Sequence, residues 1–75
     1  MALKYLRDEE GIIKIGKKIR ELRLQKNMTQ EDVAWEAGIE PMQLSRIERG
    51  VINTSVSHIL AIAKAMNVSP HIIFT

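Results

Sequence analysis

Residues 28–50 read MTQEDVAWEAGIEPMQLSRIERG and contain the signals for two short helices joined by a tight turn. Thr29 followed three residues later by Asp32 is a capping-box pattern, which predicts that the first helix begins there. Gly38 can end this helix, because glycine adopts a positive φ at no steric cost. Pro41 suits the first position of the second helix, where its missing N–H is not needed.

Helical signals also occur on both sides of this hairpin. Apolar residues before it recur at spacings of three and four, and Ser55 and Ser69 are suitable helix caps after it. The five predicted helices span 9–26, 30–37, 41–49, 56–66 and 70–74, after an N-terminal extension over 1–8. We therefore expect one all-α domain over residues 1–75, with the fourth helix at the centre of the core.

Composition narrows the class of protein. The chain has 75 residues, no cysteine, 45% hydrophobic residues and a net charge of +2. A chain this short forms one small core, and without cysteine it has neither disulfides nor thiolate metal sites. No apolar run is long enough for a membrane span, and the N-terminus does not resemble a signal peptide, so we expect a soluble cytoplasmic protein.

Signals for catalysis are weak. His58 and His71 are isolated in the sequence and fit ordinary helix-surface positions. No nucleophile, base and carboxylate converge by spacing. We therefore expect no enzyme activity, no metal site and no cofactor.

A close match to a known family comes from three runs of residues. They are Met28–Ala34, Ala37–Ile39 and Leu44–Gly50. With these runs the sequence resembles the Cro and phage-repressor (XRE-like) helix-turn-helix family, over about residues 15–74. Its small size also resembles small phage repressors and the controller proteins of restriction-modification systems. The resemblance implies a five-helix, lambda-repressor-like fold and a sequence-specific transcription regulator, a repressor, an activator or both, that binds double-stranded DNA.

The resemblance also implies which residues read bases. The expected base contacts, all in the second helix of the hairpin, are Arg46, Gln43, Met42 and Pro41. Arg46 can bond bidentately to guanine, whereas Gln43 can pair with adenine or hold a phosphate. Met42 and Pro41 differ from the polar residues common here and suit thymine methyl groups. For Glu40 we favour capping of the helix over a contact with cytosine.

A second implied set grips the DNA backbone. The expected backbone contacts are Gln30, Thr29, Arg49, Asn53, Thr54 and Lys18. Gln30 lies at a helix N-terminus, which attracts phosphate, and its amide can also brace the recognition helix. Thr29 fits a cap better than a contact.

Arg23 and Glu48 match a structural pair of the family. The resemblance implies a partly buried ion pair between them, with no direct role in DNA contact.

A single module of this size buries little DNA, and proteins of the family that the sequence resembles usually dimerise on two half-sites, so we expect a homodimer. Apolar residues that a monomer does not need indicate where the two copies would meet. The expected dimer interface comprises Val51, Ile52, Ile72, Ile73 and Phe74, although some of these must close the small core. Trp35 stands off the apolar stripe of its helix. We expect Leu3, Tyr5 or Leu6 to cover it, and the alternative is a contact with a partner protein.

A protein-interaction module is the alternative function. The same fold can serve an antitoxin that masks a toxin, or a coactivator domain, with DNA binding secondary. A toxin or RNA polymerase is then a further partner.

Overall fold

The computed structural model describes residues 9–75, which contain four α-helices and no strand. They are α1 (Glu9–Gln25), α2 (Gln30–Ala37), α3 (Pro41–Glu48) and α4 (Val56–Ala65), followed by a 3₁₀ helix (Pro70–Phe74). The predicted all-α class is confirmed, and α1, α3 and α4 each end one residue before the predicted boundary. Within the described residues, no helix is both long and apolar enough to cross a membrane.

The predicted fifth α-helix is wrong, because Pro70–Phe74 forms a 3₁₀ helix. The N–H of Ile72 donates to the carbonyl of Ser69 (3.1 Å), an i→i−3 bond typical of a 3₁₀ turn. Ser69 makes no side-chain cap, and its hydroxyl instead lies 3.0 Å from Nδ1 of His71. Without a cap, a segment of five residues is too short to sustain α-helical bonding.

Local chemistry explains where α2 and α4 begin. The N–H of Asp32 donates to Oγ1 of Thr29, and the N–H of Thr29 donates to Oδ2 of Asp32, both at 2.9 Å. The bond from the Thr29 N–H to the carboxylate, and to a smaller extent the Thr29 side chain, hold the pKa of the Asp32 carboxyl below its ordinary value. Ser55 caps α4 by accepting from the N–H of His58. The predicted caps at both positions are confirmed.

Glu40 does not cap α3 with its side chain, so that prediction is wrong. The residue takes the extended N-cap conformation, but its carboxylate makes no capping hydrogen bond. Glutamate is a poor N-cap, because its longer side chain does not fold back onto the first free N–H groups as Asp or Ser does. Pro41 at the start of the helix supplies the favourable φ instead.

The core lies between two helix pairs, with α2 packed on α4 and α1 on α3. Its buried apolar residues are Ile19, Leu22, Val33, Ala34, Ile39, Leu44, Ile47, Ile59, Ile62, Ala63, Met66 and Ile73. All four α-helices and the 3₁₀ helix contribute to this single cluster. The α2–α3 hairpin is therefore held from behind by α1 and α4.

The apolar spacing of α4 predicts a wide core face that includes Val56 and Leu60, and this prediction is wrong for both residues. They are 68% and 46% exposed. The stripe that α4 buries is narrow, because a helix of ten residues faces the core only through Ile59, Ile62 and Ala63. Two large apolar residues are thus left at the surface.

Gly16 sets the distance between α1 and α3. A Cβ at this position would overlap the carbonyl oxygen of Ile47 and lie 2.8 Å from the carbonyl oxygen of Glu48. The two helices therefore touch through their backbones, and no side chain fits between them.

We expect Gly16→Ala to lower the free energy of unfolding by about 3 kcal/mol, the upper part of the range for an overpacked core, because backbone atoms rather than a flexible side chain must move. Gly38→Ala is the matched control. Nothing lies within 4 Å of a Cβ at Gly38, where φ is +77°, and its left-handed backbone alone costs about 1–2 kcal/mol. Urea unfolding measures both; a Gly16 variant no less stable than the Gly38 variant would contradict the backbone contact.

Candidate nucleic-acid interface

The outer face of α3 carries the residues predicted to read bases. Leu44 and Ile47 face the core, whereas Arg46 is exposed and Met42 is 60% exposed. Pro41 and Gln43 are half-buried. One shallow depression is lined by Glu40, Met42, Gln43, Arg46 and Ile52. The structure thus brings Met42, Gln43 and Arg46 together. Glu40, whose carboxylate makes no capping hydrogen bond, lies beside them.

The turn between α2 and α3 holds the two helices in a fixed hairpin. Gly38 is left-handed, the N–H of Ile39 donates to the carbonyl of Ala34 (3.0 Å), and the Ile39 side chain is buried. A second depression runs between the two helix N-termini and includes Thr29, Gln30, Pro41 and Met42 in its lining. The free N–H groups of α2 therefore lie next to the exposed face of α3.

The remaining residues predicted to hold the DNA backbone occupy separate positions. Arg49 is exposed, and its Nε donates to the carbonyl of Ser45 (3.3 Å). Asn53 is exposed and Thr54 is half-buried in the loop before α4. The structure does not bring Lys18 to this group, because Lys18 lines a depression beside Ile73 and Phe74.

A buried ion pair ties α3 to α1. Nε and Nη2 of Arg23 donate to Oε2 and Oε1 of Glu48 at 2.7 and 3.0 Å, which is a bidentate arrangement. The side chains are only 9% and 1% exposed. The hydrogen bonding that Arg23 donates to Glu48 raises the pKa of the Arg23 guanidinium, which therefore stays charged.

The same pair also reaches α2. Nη1 of Arg23 donates to the carbonyl of Met28 (2.9 Å) in the turn before α2. Nε2 of Gln30 donates to Oε1 of Glu48 (3.0 Å), so the side chain of Gln30 braces α3. Among the described residues, no buried side-chain nitrogen or oxygen lacks a partner. The Glu48 carboxylate therefore sets α1, α2 and α3 relative to one another.

A contact that the sequence did not indicate involves His58, which was expected to be an ordinary surface residue. Its Nδ1 lies 3.3 Å from Nε2 of Gln43 and 3.2 Å from Oγ1 of Thr54. The spacing of four residues between Thr54 and His58 across the start of α4 was the available signal. The contact between His58 and Gln43 of α3 has no local signal, because only the tertiary fold brings the two residues together.

Comparison with known proteins assigns the chain to a family. A family model described as Helix-turn-helix matches residues 19–73. The chain belongs to this helix-turn-helix family. It is 45% identical over 56 residues to the control protein C.BamHI of Bacillus amyloliquefaciens, covering 73% of this chain and 69% of that protein. The predicted resemblance to the family and to controller proteins is confirmed.

Solved structures agree with this assignment. The restriction-modification controller protein C.AhdI from Aeromonas hydrophila superposes with a TM-score of 0.82 at 35% identity, covering 84% of this chain and 96% of that one. The wild-type restriction-modification controller protein C.Esp1396I gives 0.78 at 33% identity, covering 84% and 83%. These relatives are named as control or controller proteins and not as enzymes. The hairpin of α2 and α3 is thus the helix-turn-helix of a transcription-regulator family.

The apolar residues predicted for a dimer interface divide into two groups. Ile73 is only 3% exposed and belongs to the core, so its assignment to the interface is wrong. It is buried because the 3₁₀ helix packs on α1 and α4. Val51, Ile72 and Phe74 are exposed and Ile52 is half-buried. Phe74, Ile52 and Val56 line one apolar depression, so the exposed Val56 lies next to the predicted residues.

Trp35 is 65% exposed on α2. The residues expected to cover it, Leu3, Tyr5 or Leu6, lie outside the described residues.

In the described part of the chain, no cluster of His, Cys, Asp and Glu has the arrangement of a metal site.

We expect Glu48→Leu to lower the free energy of unfolding by about 3–5 kcal/mol, because it leaves the buried Arg23 guanidinium without its carboxylate. Adding Arg23→Met should recover part of this loss, since the buried charge is then removed as well. Urea unfolding of the two single variants and the double variant completes the cycle. A double variant whose loss of stability equals the sum of the two single losses would show that the two residues are not coupled.

Proposed function

We propose that this protein is a sequence-specific regulator of transcription that binds double-stranded DNA as a homodimer and reads the major groove with α3. The observation that carries the proposal is the outer face of α3, where Met42, Gln43 and Arg46 share one surface while the opposite face is locked into the core. A helix held from behind and exposed in front suits insertion into the groove, which is wide enough to admit an α-helix.

In this proposal each residue on α3 has a distinct task. Arg46 donates to guanine O6 and N7, because its planar fork matches that pair of acceptors. Met42 and Pro41 contact thymine methyl groups. Glu40, whose carboxylate makes no cap, is free to accept from cytosine N4 and repels phosphates elsewhere. Gln43 contributes the remaining polar contact.

Backbone contacts fix the position of α3 on the duplex. Gln30 and Thr29 lie at the N-terminus of α2, where the helix dipole favours a phosphate. One N–H of the Gln30 amide is engaged by Glu48, which leaves the second N–H for a phosphate oxygen. Three residues that follow α3 would contact phosphates of the adjoining DNA strand, namely Arg49, Asn53 and Thr54.

We expect duplex binding to weaken steeply as salt rises, because each neutralised phosphate releases counterions. Arg46→Ala should weaken binding to the preferred duplex by about ten- to a hundredfold and relax the preference at one position. Lys64→Ala removes the same charge from the last turn of α4 and should have little effect. Fluorescence anisotropy across salt concentrations measures all three proteins. Binding that does not respond to salt, or equal losses in both variants, would overturn the proposed interface.

Dimerisation is supported by apolar surface that a monomer does not need. Ile52, Val56 and Phe74 line one apolar depression. Further apolar residues are exposed in the loop before α4, in α4 and in the 3₁₀ helix, namely Val51, Leu60 and Ile72. Contiguous apolar patches of this kind mark association sites. A two-fold dimer would place two copies of α3 on successive half-sites.

We expect Phe74→Asp to weaken the dimer by about ten- to a hundredfold, since the variant loses the burial of a large side chain and places a charge in the dimer interface. Phe74 is 55% exposed in the monomer and Trp35 is 65% exposed on α2, so Trp35→Asp is a matched control outside the dimer interface. Sedimentation equilibrium measures both. Dissociation by the Trp35 variant, with Phe74→Asp unchanged, would place the dimer interface on α2 instead.

Exposure of Trp35 favours one alternative function. A tryptophan that is 65% exposed beside Glu31 and Glu36 fits a contact with a second protein, such as a toxin or RNA polymerase. In that reading the fold serves as an antitoxin or interaction module, and DNA binding is secondary. The salt titration distinguishes the two functions, because the alternative requires no strong duplex binding.

A further inference from the structure

His58 links the first turn of α4 to the exposed face of α3. Its half-buried ring lies between the side chains of Gln43 and Thr54, with Nδ1 at 3.3 and 3.2 Å from their polar atoms. The backbone N–H of His58 donates to Oγ of Ser55 (3.2 Å), which anchors the residue in the cap of α4. The ring therefore stands on a fixed element and reaches a residue of the proposed reading surface.

The orientation of the Gln43 amide determines the hydrogen-bonding roles in this contact. With Nε2 of Gln43 facing the ring, the amide can only donate, so Nδ1 of His58 accepts and the ring proton is on Nε2. Nδ1 carries one lone pair, which the amide N–H shares with the hydroxyl of Thr54. This bond occupies one N–H of Gln43 and leaves Oε1 and the second N–H unoccupied by the ring.

We propose that His58 is a positioning residue for Gln43, which holds the Gln43 amide in the orientation that recognises adenine. The inference rests on the proposed function. Adenine presents a donor at N6 and an acceptor at N7, and the pair left on Gln43 is an acceptor and a donor. A phosphate needs only a donor, so it would not require a fixed amide. Of the two roles open to Gln43, the bond to His58 thus favours the reading of adenine over a backbone contact.

Without the ring, Gln43 is an ambiguous reader. Its amide can turn over and offer either atom to the same base edge, and its side chain loses rotamer freedom on binding. A bond that fixes the side chain in advance reduces the cost of ordering it. While the ring proton is on Nε2, the reversed orientation would set Oε1 of Gln43 against the lone pair of Nδ1 and is therefore disfavoured. His58 therefore affects which base is chosen, although it need not touch DNA.

The test is selection of bound sites from random duplexes, with the full chain and three variants. Wild type should select adenine at one position of each half-site, and Gln43→Ala should lose that preference. His58→Phe keeps the volume of a ring but has no acceptor, and we expect adenine discrimination at that position to fall about three- to tenfold. His58→Asn restores an acceptor near the place of Nδ1 and should recover the preference. Preferences at the other positions should remain in all three.

Three results would overturn the inference. One is His58→Phe with adenine preference unchanged, another is an equal loss of preference at every position, which a merely structural role would give, and the third is Gln43→Ala with no change in selection. His58→Leu replaces His58→Phe if circular dichroism shows that the larger ring disturbs the fold. Failure of wild type to select any sequence would instead overturn the proposed function, and with it the inference, so the two failures are distinguishable.

Discussion

The bidentate ion pair between Arg23 and Glu48 controls the geometry of the helix-turn-helix. Glu48 ends α3, accepts from Arg23 of α1 and Gln30 of α2, and lies under the point where Gly16 brings the α1 backbone against α3. Its side chain and its carbonyl are thus both held by neighbouring helices. Such a pair contributes little net stability compared with an apolar contact of the same size, but loss of one partner is severe. What the pair supplies instead is a defined position of α3 against α1 and α2.

Much of the fold follows from local signals that act within a few residues. The capping box at Thr29, the left-handed glycine at Gly38 and the cap at Ser55 each depend on atoms at most four residues apart, and all three lie where the sequence predicts them. Periodicity is less decisive. Apolar spacing in α4 could not show that Val56 and Leu60 face outward, because which part of a wide apolar face is buried depends on the neighbouring helices.

The candidate site likewise has features that the sequence predicts and features that it does not. Exposure of Met42 and Arg46 follows from the period of α3, and the resemblance to the family indicated that Arg23 and Glu48 would meet. The contact between His58 and Gln43 was not predictable, because it joins residues 15 positions apart on different helices. The Glu40 carboxylate was assigned to a cap by position alone, and side-chain length decided otherwise. Long-range contacts and side-chain reach are the features that local patterns lack.

Charge on α3 separates affinity from specificity in the proposed complex. Arg46 is the only cationic residue of α3, and the Glu40 carboxylate belongs to the residue just before the helix begins. The second carboxylate, Glu48, is neutralised by Arg23, so it does not add to the repulsion of phosphates. The reading surface is therefore close to neutral and supplies little of the general attraction to DNA. That attraction must come from flanking groups such as Arg49 and the N-terminus of α2, and from the doubling of contacts in a dimer. A near-neutral helix loses little electrostatic attraction when it dissociates from a wrong sequence. Its hydrogen-bonding groups, rather than its charge, therefore determine which sequence the protein binds.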